Sequence, residues 1–156
     1  MLLLVLISVV PCLVGILNNY LLLRSIFASA VVSAAFLMFW LYLGYRSARK
    51  QHRYLPAVLA THTAGFVSFL LILWQFHVID ESNRNMAVCA ISQFYSESIL
   101  LIAARVSNTM NISTASVLPF HIISLVILVI TYSCGFIWGK KQIRRNQDSI
   151  AIIGRE

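Results

Sequence analysis

The chain has 156 residues, of which 60% are hydrophobic and only 11% are charged. A water-soluble domain carries about 25% charged residues, so this composition excludes an ordinary soluble fold and predicts an all-α integral membrane protein. The net charge of +7 does not predict nucleic-acid binding, because the basic residues cluster after long apolar runs, as membrane topology signals do.

The first two apolar runs, residues 2–22 and 26–45, are each long enough to span a membrane, which takes about 20 residues. Pro11 lies inside the first run and predicts a kink. A signal sequence is the alternative for this run, although it has no basic n-region and no small-x-small cleavage site. In the second run, Ala30, Ser33 and Ala34 form a small-residue face that suits close helix contact.

Two further runs, residues 54–79 and 117–139, complete a predicted bundle of four transmembrane helices. Pro56 and Pro119 each lie in the first turn of their run, where proline is tolerated. We expect residues 1–146 to form a single polytopic domain and residues 147–156 to form a short cytoplasmic tail.

A fifth apolar stretch, residues 86–104, has a different pattern. Gln93 and Glu97 are spaced four apart, and the apolar residues recur at helical spacing, which predicts an amphipathic helix. Because a charged side chain facing lipid costs about 2.5–3.5 kcal/mol or more, we predict an outer amphipathic or re-entrant helix. A fifth span, with Glu97 turned into the bundle, is the alternative. The predicted packing face comprises Val88, Ile91, Tyr95 and Ile99.

Two basic clusters predict the orientation of the bundle. One follows the second run and the other follows the fourth, and the positive-inside rule assigns both to the cytoplasm. The segment from about residue 80 to 116 is then outside, and both termini are cytoplasmic. The same cations are candidates for binding lipid headgroups: Arg46, Arg49, Lys50, Arg53, Lys140, Lys141, Arg144 and Arg145.

His77 and His121 are the candidate cofactor ligands. His77 lies near the outer end of the third predicted span and His121 near the outer end of the fourth. Two imidazoles on neighbouring helices could hold haem or a divalent metal. The alternative is that each histidine is an interfacial polar residue with its own hydrogen bond.

Glu97 and His62 are candidates for a proton or cation site. His62 is the deepest ionisable group in the third span, and Glu97 is the acid inside the amphipathic stretch. Ionisable groups in spans usually face protein or a water-filled cavity. The alternatives are a hydrogen-bonded packing role for His62 and a solvated surface for Glu97. A glycosylation sequon, residues 111–113, lies in the predicted outer segment.

The sequence contains no phosphate loop, zinc-protease motif or hydrolase elbow, so we assign no catalytic residues. The first functional hypothesis is an accessory, assembly or immunity-type subunit, which works through helix contacts with other membrane subunits or with copies of itself. The second is a haem- or metal-binding redox or maturation protein that uses His77 and His121. The third is a small proton-coupled transporter that uses Glu97 and His62.

Overall fold

The computed structural model describes residues 2–50, 52–110 and 117–153, with side chains described up to residue 147. Every regular element in these ranges is helical. The α-helices are α1 (Leu2–Ile7), α2 (Val10–Leu22), α3 (Ile26–Arg49), α4 (Tyr54–Thr61), α5 (Thr63–Leu73), α6 (Met86–Glu97), α7 (Leu100–Thr109) and α8 (Val117–Ile153). A π-helical turn (Trp74–Val78) continues α5, and a 3-10 turn (Glu81–Asn83) precedes α6.

Three helical stretches are long and apolar enough to cross a membrane: Leu2–Leu22, Ile26–Arg49 and Val117–Gln147. Two bent pairs are also apolar enough: α4 with α5 and its π-turn, bent by 56°, and α6 with α7, bent by 81°. The prediction of an all-helical protein with several apolar spans is confirmed, with three to five candidate spans. Helices suit a membrane because the N–H and C=O groups of each helix bond to one another, so they need no water.

Pro11 accounts for the interruption between α1 and α2. Proline lacks an N–H, and its ring clashes with the carbonyl four residues earlier, which is that of Ile7, the last residue of α1. The Ser8 hydroxyl donates a hydrogen bond to the Val5 carbonyl, 2.6 Å away, at this interruption. The distortion therefore lies just before the proline, and the two helices still form one apolar stretch.

The contact between α3 and α8 is the most extensive in the bundle, and glycines make it close. A Cβ on Gly135 would collide with the Leu41 carbonyl, and one on Gly139 would meet Tyr45. Gly44 lies against the α8 backbone in the same way. Leu41 faces Gly135 and Tyr45 faces Gly139, so the residue numbers rise in the same direction on both helices, and the two helices run parallel. A glycine pair spaced four apart lets helix backbones approach in a membrane.

The predicted small-residue face of α3 divides between two environments. Ser29 and Ser33 are completely buried within the bundle. Ala30 and Ala34 are exposed and line a groove of about 500 Å³ between α3 and α7. The small residues that bring α3 close to α8 lie instead in the other half of the helix, around Gly44.

One end of the bundle gathers both basic clusters. Arg49, at the end of α3, lines a cleft with Gln142 and Asn146 of α8. Leu3, at the start of α1, lines another cleft with Arg46 of α3. The N-terminal helix, the loop after α3 and the basic part of α8 therefore share an end, which we call the basic end. The loop with Asp80 and Glu81 is at the far end of α5, and we call that the acidic end.

Helix α6 packs inside the bundle against α2, α5 and α8. Its buried face carries Cys89, Ser92, Tyr95 and Ser96. Of the face predicted to pack on the membrane or the bundle, Tyr95 and Ile99 are buried, Val88 is half-buried and Ile91 is 60% exposed. Small polar groups face inward here because protein carbonyls can accept their hydrogen bonds and lipid cannot. The predicted helix 86–104 is not continuous: it ends at Glu97 and resumes at Leu100.

Candidate functional site

The break between α6 and α7 is held by one side chain from the first apolar stretch. The Asn18 amide donates hydrogen bonds to the Glu97 carbonyl at 3.2 Å and to the Ser98 carbonyl at 2.7 Å. The last carbonyls of a helix have no partner within it, and leaving them unpaired away from water costs free energy. Asn18 supplies the missing donor, so a helix end is stable inside the bundle.

Two serines of α3 hold Asn18 in this position. The Asn18 amide nitrogen also lies 3.0 Å from the Ser33 hydroxyl, so its two hydrogens are shared among three acceptors, and the Ser29 hydroxyl donates to the Asn18 side-chain oxygen at 3.4 Å. All three side chains are completely buried. Their bonds fix the orientation of the amide, whose nitrogen must point at the break while its oxygen points at Ser29.

A serine of α8 completes the polar lining of the break. The Ser124 hydroxyl donates to the Ser96 carbonyl at 3.2 Å. The Ser98 hydroxyl donates to the Tyr95 carbonyl at 2.8 Å, within the same turn. Groups from α2, α3 and α8 thus meet the end of α6, and they form a compact polar region between apolar helix faces.

Glu97 is the acidic residue of this region. Its side chain is partly buried, and one carboxyl oxygen, Oε2, has no hydrogen-bond partner among the described residues. Asn19 lies within hydrogen-bonding reach of the carboxyl group. Arg105, two turns after Glu97 in the sequence, forms no salt bridge with it in the described part of the chain. The carboxyl group therefore retains a free acceptor position.

His121 and Tyr95 form a second polar pair next to the break. The His121 ring is fully buried, its Nε2 lies 3.4 Å from the Gly65 carbonyl, and its centroid is 5.8 Å from that of Tyr95. Gly65 makes room for Tyr95, because a Cβ there would overlap the phenol ring. His121 Nδ1 and the Tyr95 hydroxyl have no partner within the described residues.

His62 lies one turn before Gly65, at the bend between α4 and α5. The Trp40 indole N–H donates to His62 Nε2 at 3.2 Å, so Nδ1 carries the proton and donates to the Val58 carbonyl at 2.9 Å. Tyr132 stands edge-on to the imidazole with centroids 5.6 Å apart. Each ring nitrogen of His62 therefore has a hydrogen-bond partner, and the ring packs between neighbouring helices.

The structure does not bring His77 and His121 together. His77 is exposed in the π-helical turn, whereas His121 is buried between Phe69 and Tyr95, beside Gly65. Across the described ranges, no group of three or more His, Cys, Asp or Glu residues is arranged to hold a metal ion. The two histidines therefore do not form a shared ligand pair here.

Asn18, which donates hydrogen bonds to the break, was not among the residues predicted from the sequence. The signal was visible, because Asn18 and Asn19 are adjacent polar residues in an otherwise apolar run, and such residues usually face protein. Tyr95 was in the predicted packing face and is buried, whereas Trp40 and Tyr132 carried no comparable signal, since aromatic residues are common in any membrane helix. The sequon, residues 111–113, lies outside the described residues.

Comparison of the chain with protein-family models, with curated proteins and with solved structures gives no significant match.

Proposed function

We propose that the chain crosses the membrane four times, through α1–α2, α3, α4–α5 and α8, with the basic end in the cytoplasm. The pair α6–α7 enters from the outer, acidic end and returns to it. Arginine and lysine clusters mark cytoplasmic loops, and both clusters share one end of the bundle. Four crossings between the two ends of the chain agree with that placement.

The contacts of α6 and α7 support a re-entrant path. At the start of α6, the Asn85 N–H donates to the Gln75 side chain at 2.9 Å, near the outer end of α5. Asn18, which bonds to the break, also bonds to Ser33, and Ser33 is about 10 Å by helix rise from the start of α3. Arg105 of α7 then lines the groove beside Ile26, the first residue of α3. The path goes inward along α6 and leads back along α7.

For this topology we propose a transport function in which Glu97 binds a proton or a small cation at the re-entrant break. The observation that carries the proposal is the unpartnered Glu97 oxygen at a helix end inside the bundle. The C-terminal end of a helix carries partial negative charge and favours cations. Interrupted helices build ion sites of this kind in membrane transporters.

Further polar groups connect the break to α5. Tyr95 and His121 lie beside the break, and each has a polar atom with no partner among the described residues. Gly65 joins them to α5, and His62 follows one turn further inward with Tyr132 at its edge. Because His62 Nε2 already accepts from Trp40, passage through this histidine requires that hydrogen bond to open. The His62–Trp40 pair is then the inner gate of the path.

Reconstituted vesicles test this function. Purified protein in liposomes that hold a pH-sensitive dye is driven by a potassium diffusion potential, and a parallel set holds a sodium-sensitive dye. We expect ion entry above that of empty liposomes, and a loss of at least about tenfold for Glu97→Gln, in line with general proton-transfer contributions. The control is Glu81→Gln, because Glu81 is an exposed acid of the outer loop.

Two outcomes would contradict the transport function. One is the absence of proton and sodium entry in vesicles whose protein is correctly folded by circular dichroism. The other is equal entry for the parent protein and Glu97→Gln. A signal from one dye alone identifies the transported ion.

A second candidate function, an assembly subunit, is favoured by the groove between α3 and α7. Ala30 and Ala34 are exposed on its floor, and small residues of this kind let another helix approach. Ala30→Leu should then weaken co-purification with a partner or with a second copy while the bundle remains folded. Unchanged association after this substitution would remove the observation that favours assembly.

A further inference from the structure

A cleft of about 290 Å³ opens at the basic end, between the first turns of α1 and the last turns of α3. It has two chemically distinct parts. Its apolar walls are Leu3, Leu4, Ile7 and Leu43. Its polar rim is formed by Arg46, Ser47, Lys50 and His52.

The rim has the chemistry of a phosphate site. Arg46 and Lys50 are four residues apart and therefore lie on one face of α3. A guanidinium group pairs with phosphate through two parallel hydrogen bonds, and a lysine adds a point charge. Among the described residues no carboxylate lines the cleft, so an anion at the rim would meet cations and hydroxyl or imidazole donors.

The apolar walls favour a ligand with a hydrocarbon part, which a soluble anion lacks. The side chains of Leu3, Ile7 and Leu43 extend the cleft along the helices, away from the rim. Filling apolar walls with hydrocarbon is favourable. The cleft is at the small end of the range of ligand pockets, roughly 300–1,000 Å³, so it accommodates part of one chain and not a whole two-chain lipid.

We propose that this cleft binds one anionic phospholipid, with an acyl chain against the α1–α3 walls and the phosphate at Arg46 and Lys50. The site is separate from the Glu97 region and does not depend on the transport proposal. Arg49 is not among the residues that line this cleft. Its guanidinium lies 5.8 Å from the Tyr45 ring centroid, and its side chain lines the cleft with α8 and a neighbouring cleft that it shares with Arg46 and Lys50.

The test measures lipid binding to the full-length protein in a neutral detergent by native mass spectrometry. Phosphatidylglycerol and phosphatidylcholine with identical chains are compared. The double variant Arg46→Gln/Lys50→Gln should bind phosphatidylglycerol roughly 10- to 30-fold more weakly, as expected for the loss of two cations near a lipid headgroup. The matched control is Lys141→Gln/Arg144→Gln, which removes the same charge at the same end.

The apolar walls have their own test. Leu3→Trp, at an exposed position on the cleft, and Ile7→Trp each fill the space for the chain without changing any charge. Either folded variant should lower phosphatidylglycerol binding several-fold, and inorganic phosphate at equal concentration should not displace the lipid.

Three results would overturn the proposal. Equal weakening by the two double variants would mean nonspecific attraction to the basic end. Displacement by inorganic phosphate would mean a simple anion site. Unchanged binding in both tryptophan variants would mean that the chain does not enter the cleft.

Discussion

The side-chain amide of Asn18 donates a hydrogen bond to the Ser98 carbonyl, 2.7 Å away across 80 residues of sequence. This bond joins the first apolar stretch to the break in the fifth, and both groups are buried. The bond explains why α6 can end inside the bundle, because Asn18 donates to carbonyls that have no partner within the helix.

Asn18→Ala should destabilise the bundle by about 1–3 kcal/mol, the usual cost of leaving buried polar groups unpaired. The measurement is a thermal or denaturant unfolding midpoint in detergent. Asn83→Ala is the matched control, because Asn83 is the same residue type at an exposed position in the 3-10 turn, away from the break. An equal loss for both variants would show that Asn18 has no special role.

The His62–Trp40 hydrogen bond should be visible as an energetic coupling. His62→Phe and Trp40→Phe each remove one partner, and the double variant should be more stable than the sum of the single effects by about 0.5–1.5 kcal/mol. Unfolding of the parent, both single variants and the double variant gives the coupling. Strict additivity would mean that the 3.2 Å contact contributes nothing to stability.

Gly135→Leu should separate α3 from α8. Its side chain would collide with the Leu41 carbonyl, which is backbone and cannot move aside cheaply. We expect a loss of at least about 3 kcal/mol or failure to fold, above the 1–3 kcal/mol typical of overpacking. Cys134→Leu, at the exposed neighbouring position, should be tolerated. Similar stability for the two variants would contradict the close glycine contact.

The orientation is tested by thiol labelling from outside intact cells. After the three native cysteines are replaced by serine, single cysteines are placed at Lys50, Ser82 and Asn146, which are all exposed. Position 82 should react directly, and positions 50 and 146 only after permeabilisation. Direct reaction at position 146 is incompatible with a cytoplasmic basic end and would support an odd number of crossings.

The apolar spans were predictable because they depend on local composition. The second predicted run began at residue 26, as α3 does, and the third began at residue 54, as α4 does. The glycine contact was also within reach, since Gly135 and Gly139 form a small-xxx-small pair. The sequence signal for each of these features lies within a single apolar run.

The interior of the bundle was not predictable in the same way. The break at Ser98 depends on Asn18, and the burial of Tyr95 depends on the missing side chain at Gly65. Such pairings join helices far apart in sequence, and no periodicity within one segment reports them. His121 is an example: its position in the sequence suggested His77 as its neighbour, but in the structure its ring lies beside Tyr95.

The cluster of Asn18, Ser29 and Ser33 lies entirely within the first two apolar stretches, yet it serves a segment made much later. During synthesis the N-terminal part of a chain folds first, so this helical hairpin can enter the bilayer with its polar groups already bonded to one another. When residues 97 and 98 emerge, the amide of Asn18 is oriented to receive their carbonyls. A chain whose hairpin cannot form would lack the donor for the Glu97 and Ser98 carbonyls, so we expect α6 to dock less stably in the bundle.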